Sequence, residues 1–436
     1  MNNLKNWLAL TSVGIGAGMG LFASQSALAD STPAPSSTPP YTCAAPAAWF
    51  TAKSIPRPNP HDPVFSASNN TKCDFHLFSW QAFMWLTEAD KAGKLRFEGL
   101  YSDGAIDPRA RAPHQHILGG VQQANSLGIL VDQNGRAVYT SILIDEIYRH
   151  FVIKNKLYTS AGLQNVNPNL TFPVGALSLK AAWRIVQPGE DVSRFFTTKA
   201  KIQLLATVDG VVTTPKKPKI VDATVALVGF HIAEIVHGHP EAVWATFEQV
   251  DNAPDFKPGQ TMNEVVSDKS FTFYKGGTPA SGCNINNAPV ITLDAATQKL
   301  TPITQACRQF RDGGGNAENM GNIDTLNQSV HSQLPANSMW QNYIEVGAVW
   351  FNTANALTPN WNPNTNSSLI TGSNLLSSAV IETFTQNAVS TNQCFSCHNT
   401  MPIVNTENIK QALPGKDVST SHVLLQKYLN GHPVKR

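Results

Sequence analysis

The sequence predicts an α+β protein: an antiparallel β-rich body with peripheral helices, followed by a helical C-terminal segment. Three observations lead there. Strand-type runs dominate from Gly175 to about Asn252, with Pro215 and Pro218 marking a turn between two of them. A second strand signal lies upstream, where two β-rich runs flank an Asn-Gly turn at Asn134-Gly135. Helical periodicity of apolar residues occurs outside these runs, most clearly from Phe75 to Ala89.

Taken in order, the first segment is residues 1–29. Lys5 is its only charge before Asp30, Trp7 to Ala23 is apolar or small, and Ala27-Leu28-Ala29 is an A-x-A cleavage site. These are the three parts of a secretory signal peptide cut after Ala29. An uncleaved anchor helix is the alternative, but the apolar stretch is marginal in length and loosened by Gly14, Gly16, Gly18 and Gly20. No cysteine directly follows the hydrophobic stretch, which argues against a lipoprotein anchor, and no later stretch could span a bilayer. The expectation is an exported, periplasmic chain with no membrane span after cleavage. Residues 30–40 are rich in Pro, Ser and Thr and read as a disordered linker.

Residues 41–366 are expected to form the α+β body. Phe75, Phe78, Ala82, Phe83 and Leu86 make one apolar face of a helix. Leu127–Val131 and Ala137–Ile144 form a hairpin, and Asp145–Leu157 a second helix, with Ile147, Phe151 and Ile153 on its apolar side. Ala176–Val186, Lys201–Val208, Ala223–Ile235 and Ala242–Val250 read as an antiparallel sheet. Residues 253–340, rich in Asn, Gly and Pro, read as long loops, and Gln341–Phe351 as a strand or a short helix. Residues 367–436 form the last unit, with Ser367–Val389 expected to be partly helical and packed on the body. No internal repeat occurs, and Gly313-Gly314-Gly315 lacks the Lys-Ser/Thr of a phosphate loop.

Only 14% of the residues are charged and the formal net charge is +2, so nothing points to nucleic acid or to a strongly charged partner. Cys43, Cys73, Cys283 and Cys307 can pair in three ways in an oxidising compartment. Proximity in sequence favours Cys43–Cys73 and Cys283–Cys307; free buried thiols are the alternative.

The remaining cysteines carry the chemistry. Cys394-Phe395-Ser396-Cys397-His398 is a C-x-x-C-H pentad, the attachment pattern of a c-type haem. Cys394 and Cys397 would add across the two vinyl groups, and His398 would supply an axial nitrogen to the iron. A redox dithiol or half of a zinc site are the alternatives. No second C-x-x-C exists to complete a zinc site, and the surroundings lack the βαβ context of a redox pair. The expected cofactor is therefore one covalently attached haem c.

The sixth iron ligand is left open among His422 and His432 in the tail, Met320, Met339 and His331 upstream, a residue of the sheet, or none. Met401, three residues past His398, would fall on the proximal side of a continuing helix. Only 38 residues follow His398, so the upstream body must build most of the pocket. The densest titratable cluster is His231-Ile232-Ala233-Glu234-Ile235-Val236-His237-Gly238-His239. On a strand His231 and Glu234 point to opposite faces, whereas His237 and His239 share one and could ligate a metal, or be ordinary histidines before a turn. His114 and His116 carry the same ambiguity. Trp183, Trp244, Trp340 and Trp350 read as core packing, with a haem-edge role as the alternative.

Several stretches together resemble a largely uncharacterised family of exported mono-haem cytochrome c proteins. They are Phe78-Ser79-Trp80-Gln81-Ala82-Phe83, Val228-Gly229-Phe230-His231-Ile232, Trp244 to Pro254, and Ile381-Glu382-Thr383-Phe384-Thr385-Gln386 before the pentad. The chain departs at Leu86-Thr87-Glu88, where similar sequences often carry Trp-Pro. The resemblance implies haem attachment at Cys394, Cys397 and His398 and carries no catalytic residues. The functional expectation is electron transfer with a redox partner protein, or oxidoreductase chemistry on a small molecule. The competing class is a haem module that binds or senses a small ligand without turnover.

Overall fold

The computed structural model describes residues 42–52, 54–109, 117–123, 128–313, 317–386, 393–403 and 413–431. The expected leader and linker lie outside these residues, as do His114, His116 and His432.

The principal elements are α1 (Lys72–Leu86), β1 (Tyr139–Ile144), α2 (Glu146–Lys154), β2 (Leu177–Ile185), β3 (Thr197–Gln203), β4 (Ile220–Val236) and β5 (His239–Gln249). They continue with α3 (Ala317–Gln333), β6 (Tyr343–Phe351), the single turn α4 (Cys394–Cys397) and α5 (His422–Gly431). The strands form one sheet in the order β1-β2-β4-β5-β6, extended at its edges by the short strands Tyr101–Ser102 and Ile370–Gly372. All pairings along this path are antiparallel; a two-residue strand, Ile117–Leu118, pairs parallel with β3. The α+β class with an antiparallel body and peripheral helices therefore holds.

β4, 17 residues long, organises the sheet. β2 pairs along residues 225–234, β3 along 220–226 and β5 along 229–236. Residues shared by two partners must use opposite edges, so β3 and β5 follow each other along one edge and β2 takes the other.

Both faces of the sheet are covered. α1 lies on one of them. It opens with a capping box in which the Thr71 hydroxyl accepts from Asp74 N and the Asp74 carboxylate from Thr71 N. Phe83 stacks on Phe247 at 4.4 Å and Phe75 on Trp350 at 4.4 Å, while Trp80 meets Phe247 edge-on at 5.0 Å. Phe230, Ile232, Ala245 and Phe247 face this side, because alternate residues of a strand share a face. The opposite face carries His231, Ala233, Trp244 and Thr246. It is covered by α2, α5, and the segment around Ala379–Ile381. Gly229 lets that segment approach: a Cβ there would stand 2.6 Å from Val380 Cγ2.

Residues 253–340 are not all loop. α3 occupies Ala317–Gln333 and buries Asn319, Asn322, Ile323, Leu326, Asn327 and Val330 against the body. The spacing is helical, but asparagines hold three of its six inward positions, so the apolar signal was halved. Two of these buried amides are bonded to neighbouring elements: Asn327 accepts from Trp80 Nε1 at 2.9 Å and from Glu345 N at 3.0 Å, and Asn319 bonds His76 Nε2 at 2.9 Å. Such satisfaction is what permits amides in a core.

Other boundaries moved. α1 begins at Lys72 and ends at Leu86, earlier at both ends than the expected helix. The expected hairpin keeps its turn, where the Asp132 carboxylate accepts from Asn134 N and Arg136 N. Its first run forms no strand among the described residues and contributes the bridges Gln122↔Ile129 and Val131↔Ala137. Lys201–Val208 divides between β3 and a separate strand, Ala206–Val208. Ser367–Gln386 contains a 3-10 turn, Ser367–Leu369, and the edge strand Ile370–Gly372 rather than an α-helix. Gln341–Phe351 resolves to strand β6. The disulfides are Cys43–Cys73 and Cys283–Cys307.

Two outcomes follow from this packing. Peptide mapping without reductant should recover both linkages, and crossed pairs or free thiols at those four positions would contradict the structure. Gly229→Val should destabilise the protein by about 1–3 kcal/mol through overpacking against Val380. The expected readout is a lower urea midpoint at constant slope; an unchanged midpoint would mean that the segment does not press on the sheet.

Candidate functional site

The pentad sits on the face of the sheet opposite α1. Gln393 caps α4 by accepting from Phe395 N at 2.6 Å. Phe395, between the two cysteines, is fully buried against Phe351 at 5.0 Å and Trp361 at 5.8 Å. This wedge fixes the turn, and the i, i+3 spacing sets Cys394 and Cys397 on one side of it. Both thiols are unpaired although the other four cysteines are bridged.

His398 ends the turn, its backbone N donating to Cys394 O at 2.9 Å. Its Nδ1 lies 2.8 Å from the carbonyl oxygen of Thr420. A carbonyl only accepts, so Nδ1 carries the proton and Nε2 keeps its lone pair. Nε2 has no hydrogen-bond partner among the described residues. The ring packs on Trp244 at 4.1 Å and stacks on His422 at 3.7 Å. His422 is itself held, its Nε2 donating to Cys397 O at 3.0 Å.

The sheet supplies the floor. Lys180, His231 and Thr246 stand side by side on β2, β4 and β5, since Lys180 pairs with His231 and His231 with Thr246. His231 Nδ1 is 3.3 Å from the Thr246 hydroxyl and 3.9 Å from Glu382 Oε1, while its Nε2 is buried without a partner. Glu382 is anchored through Oε2, which accepts from Ser377 N at 3.1 Å and Ser378 N at 3.0 Å.

Burial governs the protonation states here. It drives His398 well below the usual histidine range, with His422, Lys180 and His231 adding to the effect. It lowers His422 to about 4, and, with help from Lys180, His231 to about 3. It lowers Lys180 to about 8 against the pull of Glu382, and raises Glu382 to about 7. All three imidazoles are therefore neutral near pH 7 and able to act as ligands. Burial also raises both thiols, most strongly Cys394. An activated redox dithiol needs a lowered thiol, so this environment argues against that alternative. The half zinc site also finds no completion, because no group of three potential metal ligands occurs among the described residues.

The remaining candidates lie elsewhere. His237 is exposed in the β4–β5 turn. His239 is buried, its Nδ1 2.7 Å from Glu241 Oε1 and its Nε2 2.8 Å from Phe65 O. The two do not form a metal site. His331 bonds Tyr343 O at 2.8 Å and packs edge-on to Trp80, on the α1 side of the sheet. Met339 is partly exposed, and Met320 sits on α3. Trp183 and Trp350 are core residues, and Trp340 packs against Phe83 at 5.7 Å; of the four tryptophans singled out, Trp244 alone reaches the pentad.

Lys180, Thr246, Glu382 and the Thr420 carbonyl were not identified from sequence. Lys180 had a signal, a cation inside the apolar run Ala176–Val186. The Thr420 carbonyl had none, since a main-chain acceptor leaves no residue signature.

The chain matches no family model, no curated protein and no solved structure. Among the described residues, no helix is long and apolar enough to cross a membrane.

Proposed function

We propose that the chain is a mono-haem c protein of the periplasm that works in electron transfer. Haem c is held by thioethers to Cys394 and Cys397, and His398 is its axial ligand. Attachment requires only addition: each thiol sulfur bonds to a vinyl carbon and its hydrogen passes to the neighbouring carbon. Once bound, the group supplies a one-electron couple at the iron.

The observation that carries this reading is the state of His398. Its ring is oriented through Nδ1 by a backbone carbonyl, its Nε2 is free, and two unpaired thiols precede it on one turn. Orientation of an imidazole through its second nitrogen is the usual companion of metal ligation. The chain's own residues also exclude water. Trp244 and His422 cover the flanks of the imidazole, and Phe395 seals the turn beneath it.

Two experiments test this. Full-length chain produced in a host that matures c-type haem should gain the mass of one haem and keep it through acid–acetone extraction. Cys394→Ala combined with Cys397→Ala should lose it, and His398→Ala should keep it with a shifted Soret band; haem retained by the double variant would refute the assignment. A fragment of residues 367–436 should lack the native spectrum, because Lys180, His231 and Trp244 would be missing. A fragment with the full-length spectrum would make that segment an autonomous cytochrome domain.

A further inference from the structure

We infer that His231 is the second axial ligand of this haem, which makes the iron six-coordinate and commits the site to electron transfer rather than to binding an external substrate. The inference rests on the haem c reading above.

Four observations converge on His231. Its Nε2 is a buried nitrogen without a partner, an arrangement that needs a structural cause. Its Nδ1 has the Thr246 hydroxyl at 3.3 Å and the Glu382 carboxylate at 3.9 Å. That carboxylate favours a proton on Nδ1 and so leaves the Nε2 lone pair for a metal. The residue also lies close to the pentad: Trp244, which supports the His398 ring, is on the neighbouring strand two residues from the residue that pairs with His231. Finally, the position is rigid, since His231 sits in the middle of β4, paired in register with Lys180 of β2 on one edge and with Thr246 of β5 on the other. Ligands on sheet strands hold their geometry better than ligands on loops.

The other histidines among the described candidates are engaged elsewhere. His422 stacks face to face on His398, so it stands beside that ring and not across the iron from it, and its Nε2 donates to Cys397 O. His331 lies beyond the sheet, against Trp80. Neither His422 nor His331 offers a free Nε2 toward the pentad.

The test uses haem-loaded full-length protein. Covalent haem is first verified by its survival on a denaturing gel; if none is attached, the haem c reading itself fails, and this inference with it. With haem attached, the ferric wild type should give a low-spin electron paramagnetic resonance spectrum. Its near-infrared magnetic circular dichroism band should be that of two nitrogen ligands. His231→Ala should lose the low-spin signal, become high-spin, and regain low spin on addition of free imidazole. His422→Ala should remain low-spin. A high-spin wild type, a band typical of methionine ligation, or a His231→Ala protein whose low-spin spectrum is unchanged would overturn the assignment. The wild-type spectra decide against it even if the alanine variant fails to fold.

Discussion

The rest of the structure depends on the double-edged pairing of β4. Strands on both sides hold its register, so its alternation divides the interior in two. Phe230 and Ile232 go to the aromatic core beneath α1, and His231, Ala233 and Ile235 go to the other face. A slip by one residue would exchange these sets and put an imidazole among phenylalanines. The same register settles which histidines can meet the pentad, because β5 is aligned on β4 and delivers Trp244 and Thr246 to the same face as His231.

The buried histidines follow a simple electrostatic rule. His76 lies 2.8 Å from Glu345 and His239 2.7 Å from Glu241; burial opposes their charge, yet these carboxylates raise both above the usual value. At His231, His398 and His422 burial is the leading influence, and it lowers all three. Burial penalises the imidazolium unless an anion in contact offsets it. The first pair are fixed structural links between elements, and the second group are kept neutral near pH 7. Segregation of the two types to His76 on one face and the pentad on the other follows from the sheet between them.

Much of this was legible in the sequence, and the exceptions are physical. The strands from Ala176 to Val250 were readable because burial on both faces gives long apolar runs with polar breaks between them. Both disulfides were readable from proximity alone. α3 was hidden because Asn319, Asn322 and Asn327 occupy inward positions, and an amide registers as polar although its hydrogen bonds make it a core residue. The site was half legible. Cys394, Cys397 and His398 form a local pattern, whereas Lys180, His231, Thr246 and Glu382 converge from three strands and a distant segment. His231 was seen as one member of a cluster that the fold then separated, with His237 exposed and His239 paired to Glu241. Periodicity assigns a face to each residue and does not say which faces meet.

The acceptor that orients His398 is the main chain of residue 420, at the end of the 3-10 turn Asp417–Thr420. Any side chain compatible with that turn presents the same oxygen. Selection acting on the histidine's orientation would therefore act on the path of the tail and leave the identity of residue 420 free to drift. That path is secured at a distance: Lys416 Nζ donates to Val166 O at 2.8 Å, Asp417 N donates to Pro168 O at 2.9 Å, and Tyr148 bonds Ser421. The orientation of the His398 ring is thereby secured through a docking seam among residues 148–168, remote in sequence from the cysteines and the histidine.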